Sequence, residues 1–289
     1  MLDLLASAIK AHGGIDRWRD YSTVKATLVS GGELLDRKAP QKPEPRQMTV
    51  STREQVASVT PFGGPDRCTR YTPSRIAIET TDGKLLSERT NPREAFAGHD
   101  LDTPWDPLHR AYFNGYTQWI YLNAPFMLTL PGLRVEEAEP LRESGETWRA
   151  LRVTLPPNIA SHSVVQTFYF GDDFLMRRHD YNLDVAGGQN IAHYTHDVTE
   201  SDGLLLARRR RAFLCDEDYN VLPDRLLIWI DYSEIRFSSL VQKSRSSRAN
   251  NYDAHFALRV QTFDAILEFS FYDFLWNPRS LKMDAQSSA

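Results

Sequence analysis

The stretch that decides the fold runs FYFGDDFLMRRHDYNLDVAGGQNIAHYTHDVTESDGLLLARRRRAFL over residues 168–214. Its runs alternate with a period of two, the mark of half-buried strands. Between them lie Gly171-Asp172-Asp173, Gly187-Gly188-Gln189-Asn190 and Asp202-Gly203, compositions that make tight hairpin turns. Strands joined this closely must be antiparallel, because parallel neighbours need crossovers of a dozen residues or more. The spacing therefore predicts a meander of Val164–Phe170, Leu175–Val185, Ile191–Val198 and Leu204–Leu214.

Working outward, Trp148–Leu155 and Leu226–Phe237 extend the meander on either side. Nearer the start, Val24, Ala26 and Leu28 alternate with Lys25 and Thr27 until Gly31-Gly32. Met48–Val59, Cys68–Tyr71, Arg75–Thr80 and Lys84–Arg89 follow, the last across an Asp82-Gly83 turn. Pro40, Pro43 and Pro45 make 38–46 a loop or irregular edge. The fold class is mainly β (α+β): a curved antiparallel meander sheet with few helices.

Two segments keep a helical period. Residues 1–21 place Leu4, Leu5, Ile9 and Ala11 at helical spacing, with Gly13-Gly14 as the stop. Asp3 and Lys10 deny this segment the basic start and unbroken apolar core of a signal peptide. The second, His109–Leu122, puts Tyr112, Gly115, Trp119 and Leu122 on one face, between Pro107 and Pro125. With Trp105, Phe113, Tyr116, Tyr121 and Phe126 nearby, it reads as an aromatic lid over a cavity or as a plug filling the concave face.

The chain has 34 Lys plus Arg against 38 Asp plus Glu, a net charge of −4, which argues against a dedicated nucleic-acid binder. Two cysteines, Cys68 and Cys215, are too few for a disulfide framework and fit a reducing compartment. No stretch approaches the roughly 18 apolar residues of a membrane span. The expected location is the cytosol.

Strand parity nominates the site. A simple hairpin at 187–190 sets His179 opposite Asp197 and Tyr181 near Thr195, and the Asp202-Gly203 turn sets His193 near Arg210. One face then carries His179, Tyr181, Leu183, His193, Thr195, Asp197, Arg208 and Arg210, and this face is the cavity candidate. The other face, with Asp180, Asn182, Asp184, Tyr194, His196, Arg209 and Arg211, reads as solvated surface. His193 and His196 form an HxxH, but on a strand they point to opposite sides, so no shared metal is expected. GHDLDTPWD at 98–106 clusters His99 with Asp100, Asp102 and Asp106, a capped loop or an acid–base group. Arg208 or Arg210 suits a ligand carboxylate or phosphate by bidentate hydrogen bonds. No nucleophile elbow, phosphate loop or zinc-protease motif occurs, and no cofactor is called for.

AHGGIDRW at 11–18, DPLHRAYFNGY at 106–116, the run 168–188, AHYTHDV at 192–198 and DGLLLARRR at 202–210 together resemble an uncharacterised protein family. That family is similar, remotely, to the LolA/LppX-type lipoprotein carriers. The resemblance to the uncharacterised family covers about residues 1–238, and the likeness to the carriers, resting on strand order and turn spacing, implies a half-open antiparallel barrel around helices, with an apolar cavity for acyl chains or similar ligands. Residues 239–289 match no family and read as a polar linker followed by an apolar extension.

Two functions fit. The first is a binding protein that encloses a lipophilic small molecule, with Trp105, His109, Tyr112, Tyr116, Trp119, Tyr181, His193, Arg208 and Arg210 as lining. The second is a cofactor-independent isomerase, cyclase or hydrolase in the same cavity. There His179 with Asp197, or His99 with Asp102, would move protons. A partner-binding scaffold ranks third.

Overall fold

The computed structural model describes residues 2–239; the proposed extension falls, apart from Ser239, outside the described residues. Thirteen antiparallel strands form one open sheet. They are β1 Thr23–Gly31, β2 Arg46–Ser51, β3 Ala57–Thr60, β4 Arg67–Thr72, β5 Arg75–Thr80, β6 Leu85–Thr90, β7 Arg134–Glu143, β8 Glu146–Thr154, β9 Val165–Phe170, β10 Met176–Leu183, β11 Gln189–Ser201, β12 Leu204–Cys215 and β13 Val221–Ser238. The spatial order is β6-β5-β4-β3-β2-β1-β13-β12-β11-β10-β9-β8-β7. Every neighbour is sequential except β1 with β13, whose pairing joins two meanders into one sheet. Among the described residues β6 and β7 are free edges, so the barrel is half-open.

β7 escapes the sequence reading because an edge strand looks unlike an inner one. Its sequence, RVEEAEPLRE, is mostly exposed and charged, and Pro140 sits where the register with β8 shifts. Charge, proline and irregularity are how edges avoid pairing with other chains. The long run Met48–Val59 is two strands rather than one. The hydroxyl of Ser51 accepts from the backbone N–H of Arg53 and Glu54 at 3.2 Å each, which turns the chain between β2 and β3.

Four α-helices accompany the sheet: α1 Asp3–Ala11, α2 Ile15–Arg19, α3 Glu33–Lys38 and α4 Pro107–Asn123. α1 buries Leu4, Leu5, Ala8 and Ile9, the face expected from its spacing. α4 packs against β2, β3, β4 and β5 and is buried on nearly every side from His109 to Asn123. A helix buried all round belongs to a core. Asp106 accepts from the His109 backbone N–H at 2.8 Å, while Nδ1 of His109 accepts from the Asp106 backbone N–H at 3.2 Å. This capping box starts the helix where Pro107 pre-sets its first turn. Gly115 lets α4 lie flush on β4: a Cβ there would stand 2.2 Å from Cγ of Tyr71.

Candidate functional site

The hairpin between β10 and β11 differs from the simple one. A single 3₁₀ turn, Asp184–Ala186, ends β10 early and moves the connection to 184–188, so His179 lies opposite His193 and Tyr181 opposite Ile191. The β11–β12 register shifts as well, and Thr195 rather than His193 faces Arg210. Both displacements are by even numbers of residues, so the inward set is preserved. His179, Tyr181, Leu183, His193, Thr195 and Arg210 are all buried.

Asp197 and Arg208 leave that set. At Asp197 the backbone takes φ +56°, which breaks the alternation. Its carboxylate lies outside, 3.9 Å from Arg208 and 3.7 Å from Arg209. The expected His179–Asp197 pair is therefore not formed. His99 and Asp102 do not pair either: Asp102 meets Arg37 at 2.7 Å, and the His99 ring packs beside that of His109 at 5.0 Å. Nor is the opposite face wholly solvated. Arg178 and Asp180 are buried there in a bidentate pair of 2.6 and 2.9 Å, and Arg178 also reaches Glu143 at 2.9 Å.

On the concave face, side chains from five strands, α4 and the β8–β9 connection meet. His162 stacks on Tyr181 with ring centroids 3.7 Å apart, and its Nε2 lies 2.7 Å from the Tyr121 hydroxyl. That hydroxyl is 3.4 Å from the hydroxyl of Tyr181, which in turn is 3.3 Å from Nδ1 of His193. The four groups form one hydrogen-bonded chain. His179 stacks on Phe168 at 4.1 Å and lies 2.6 Å from the Gln166 amide oxygen, so its Nε2 carries the proton. Arg210 is 2 % exposed. Its Nη2 donates to the Tyr121 carbonyl at 2.8 Å, and the guanidinium lies over the Tyr121 ring at 4.7 Å. Tyr232 donates to Gln118 at the rim of the group.

Burial sets the charges. It holds the imidazoles of His162, His179 and His193 well below the ordinary histidine range, and the Arg210 charge lowers His179 and His193 further. Burial also raises the phenols of Tyr116, Tyr121, Tyr181 and Tyr232. At neutral pH the cluster thus contains neutral rings and one guanidinium. Burial lowers the pKa of that guanidinium, and among the described residues the groups that raise it are tyrosines. Nδ1 of His162, Nε2 of His193, the Tyr116 hydroxyl, and Nε and Nη1 of Arg210 are buried without a hydrogen-bond partner among the described residues.

The remaining candidates separate along α4. Trp105, His109 and Tyr112 gather with Phe96 near its start. Both ring nitrogens of His109 are occupied, Nδ1 in the cap and Nε2 on the Ala95 carbonyl at 3.0 Å. Trp119 donates to the Glu54 carbonyl at 2.8 Å. Tyr116 connects the two groups, its ring 5.5 Å from Tyr112 and 5.3 Å from His162. Between α4 and β13 lies a small void of about 10 Å³, bordered by Phe113, Thr117, Gln118, Tyr121, Ile228 and Ile230 among others. α4 fills the concave face as a plug.

Sequence reasoning missed His162, Tyr121 and Gln166. His162 lies in a connection with no period to read. Tyr121 falls off the single helical face chosen for α4, which in fact buries every face. His196, the other half of the HxxH, is exposed while His193 is fully buried. Among the described residues no group of three or more His, Cys, Asp or Glu is arranged to hold a metal. No helix among them is long and apolar enough to cross a membrane.

Several solved structures are similar to this chain over most of their length. A LolA superfamily protein from Nitrosomonas europaea is 10 % identical, with a TM-score of 0.45 over 82 % of this chain and 94 % of its own. A DUF1329 family protein from Desulfovibrio piger is 8 % identical, with a TM-score of 0.49 over 85 % and 96 %. The Mycobacterium tuberculosis lipoprotein LppX is 11 % identical, with a TM-score of 0.25 over 80 % and 94 %. These are similarities to solved structures at low identity, and nothing about this chain's ligand or activity follows from them. No family model and no curated protein matches the chain.

Proposed function

We propose that this protein binds a lipophilic small molecule carrying an acidic group, held between α4 and the concave face of the sheet with its acidic group on Arg210. The observation that carries this reading is the Arg210 guanidinium: buried, charged, and satisfied by one carbonyl and one ring face. A buried charge without a counter-charge costs several kcal/mol, and a carboxylate would take one edge of the fork, where Nε or Nη1 still lacks a partner. Phe168, Leu183, Ile191 and Ile230, all buried, supply apolar surface for the remainder of the ligand. With Arg210 buried and α4 buried on nearly every side, entry requires α4 or its side chains to yield.

A cytosolic setting belongs to the same proposal, supported by the two free, buried thiols Cys68 and Cys215. A second reading, acid–base catalysis without cofactor, rests on the chain from His162 through Tyr121 and Tyr181 to His193. That chain ends on two ring nitrogens without partners. In that reading neutral imidazoles act as bases and Arg210 steadies an oxyanion.

The test is thermal unfolding of the wild type and Arg210→Met with a long-chain carboxylate and with the matching alcohol. Ligand at a hundredfold excess over Kd stabilises by about 2.7 kcal/mol. The carboxylate should raise the wild-type Tm and leave Arg210→Met unmoved. Equal shifts from acid and alcohol, or an undiminished shift in the variant, would remove Arg210 from the account.

A further inference from the structure

A cleft of about 350 Å³ opens on the surface between the residues after α3 and the start of α4, with Pro40, Pro104, Trp105, Pro107 and Arg110 among its walls. The Trp105 backbone N–H donates to the Lys38 carbonyl at 2.7 Å and ties the two walls together. Arg110 lies in this wall and is only 3 % exposed. Its Nε and Nη1 have no hydrogen-bond partner among the described residues, and neither does Nε1 of Trp105, a residue 7 % exposed. Three N–H donors of two wall residues are therefore buried beneath the cleft surface without an acceptor, and an anion in the cleft reaches them by a turn of those side chains. Arg37 and Lys38 add positive charge to the lining, against the single carboxylate of Asp106. That carboxylate is engaged by Arg89 at 2.5 Å and by the helix cap. Lys38 is spent on structure: it donates to the carbonyls of Asp100 and Thr103. Arg37 likewise pairs with Glu33 and Asp102. Arg110 is the cation left over.

A guanidinium is a planar fork that matches a carboxylate with two parallel hydrogen bonds. An indole N–H adds a third donor, and the prolines with the Trp105 ring offer a dry, flat wall. We propose that this cleft is a binding site for a small planar organic carboxylate, its oxygens on Arg110 and Trp105 and its ring against the prolines. Burial and the nearby Arg46 charge depress the guanidinium to about 9, so it is still largely charged at neutral pH, where an anion relieves its isolation. The site is separate from the interior cluster. Arg110 and Tyr121 are eleven residues apart on α4, or about 16 Å along a helix that rises about 1.5 Å per residue. The cleft proposal does not depend on what binds at Arg210.

The probe is benzoate, titrated calorimetrically into the full chain at fixed ionic strength, with benzyl alcohol as the uncharged control. Benzoate should bind with a millimolar or lower Kd and benzyl alcohol should not. Arg110→Met should weaken benzoate at least about tenfold, whereas Arg210→Met should leave it unchanged. Equal binding of the alcohol, undiminished binding to Arg110→Met, or loss in Arg210→Met instead would overturn the assignment. Should Arg110→Met fail to fold, 4-bromobenzoate soaked into crystals of the wild type decides the matter. A bromine peak beside Trp105 and Pro107 supports the site; a peak elsewhere, or none, refutes it.

Discussion

Acidification from pH 7 to pH 5 should destabilise this protein far more than surface titration alone would. His162, His179 and His193 are held neutral by burial, well below the ordinary range, and burial lowers His12 to about 4. In the unfolded chain each ring titrates near 6.5. Below that pH the unfolded state binds protons that the folded state refuses, so stability falls as pH falls. For a ring that stays neutral when folded, the loss between pH 7 and pH 5 is about 1.9 kcal/mol, or about 7.5 kcal/mol for the four. Asp180 and Asp184, raised by burial, act in the opposite sense at the acid end. A domain of ordinary stability has about 5–15 kcal/mol in hand, so the lower part of that pH range should bring unfolding. The assay is urea unfolding at a series of pH values, followed by the fluorescence of the buried Trp18, Trp105 and Trp119. His193→Gln should reduce the slope below pH 6 by about 1.4 kcal/mol per pH unit, one proton's worth. A fall of less than about 2 kcal/mol across the range, or an unchanged slope in the variant, would show that these rings are not held neutral by burial.

Other expectations follow from the packing. Tyr116→Ala removes a fully buried ring from α4 and should cost about 3–5 kcal/mol in chemical denaturation; a loss under about 1 kcal/mol with weakened ligand binding would make α4 a lid rather than a plug. Gly115→Ala drives a methyl into the Tyr71 ring and should cost about 1–3 kcal/mol by the same assay, whereas a neutral result would mean that α4 does not lie flush on β4. Asp106→Ala removes the helix cap and should lower stability by about 1 kcal/mol. His179→Ala, which empties the stack on Phe168 and strands the Gln166 amide, should cost about 2–4 kcal/mol, and a silent variant would place the ring outside the core.

The architecture was largely legible because its signals are local. Asp202-Gly203 shows how: two residues able to adopt φ +53° and +81° close a two-residue turn, with Ser201 facing Leu204. Inward-facing His179, Tyr181, His193 and Arg210 were legible for the same reason, since alternation survives any even shift of register. Pairing between β10 and β11 was not, because the Asp184–Ala186 turn leaves little trace in composition, and the outward turn of Asp197 leaves none either. β7 was hidden by the very charges that protect an edge. His162 and Tyr121 were hidden because their positions are set by tertiary contact. So too was the separation of Trp105, His109 and Tyr112 from the histidine cluster, which reflects helix length rather than any feature of the residues themselves.

The most direct test of the central claim is mass spectrometry of the organic extract from freshly purified, denatured protein, wild type beside Arg210→Met. The account predicts a lipophilic molecule bearing an acidic group, in stoichiometric amount from the wild type and depleted from the variant. An extract without such a molecule, or an equal amount from both proteins, would contradict it.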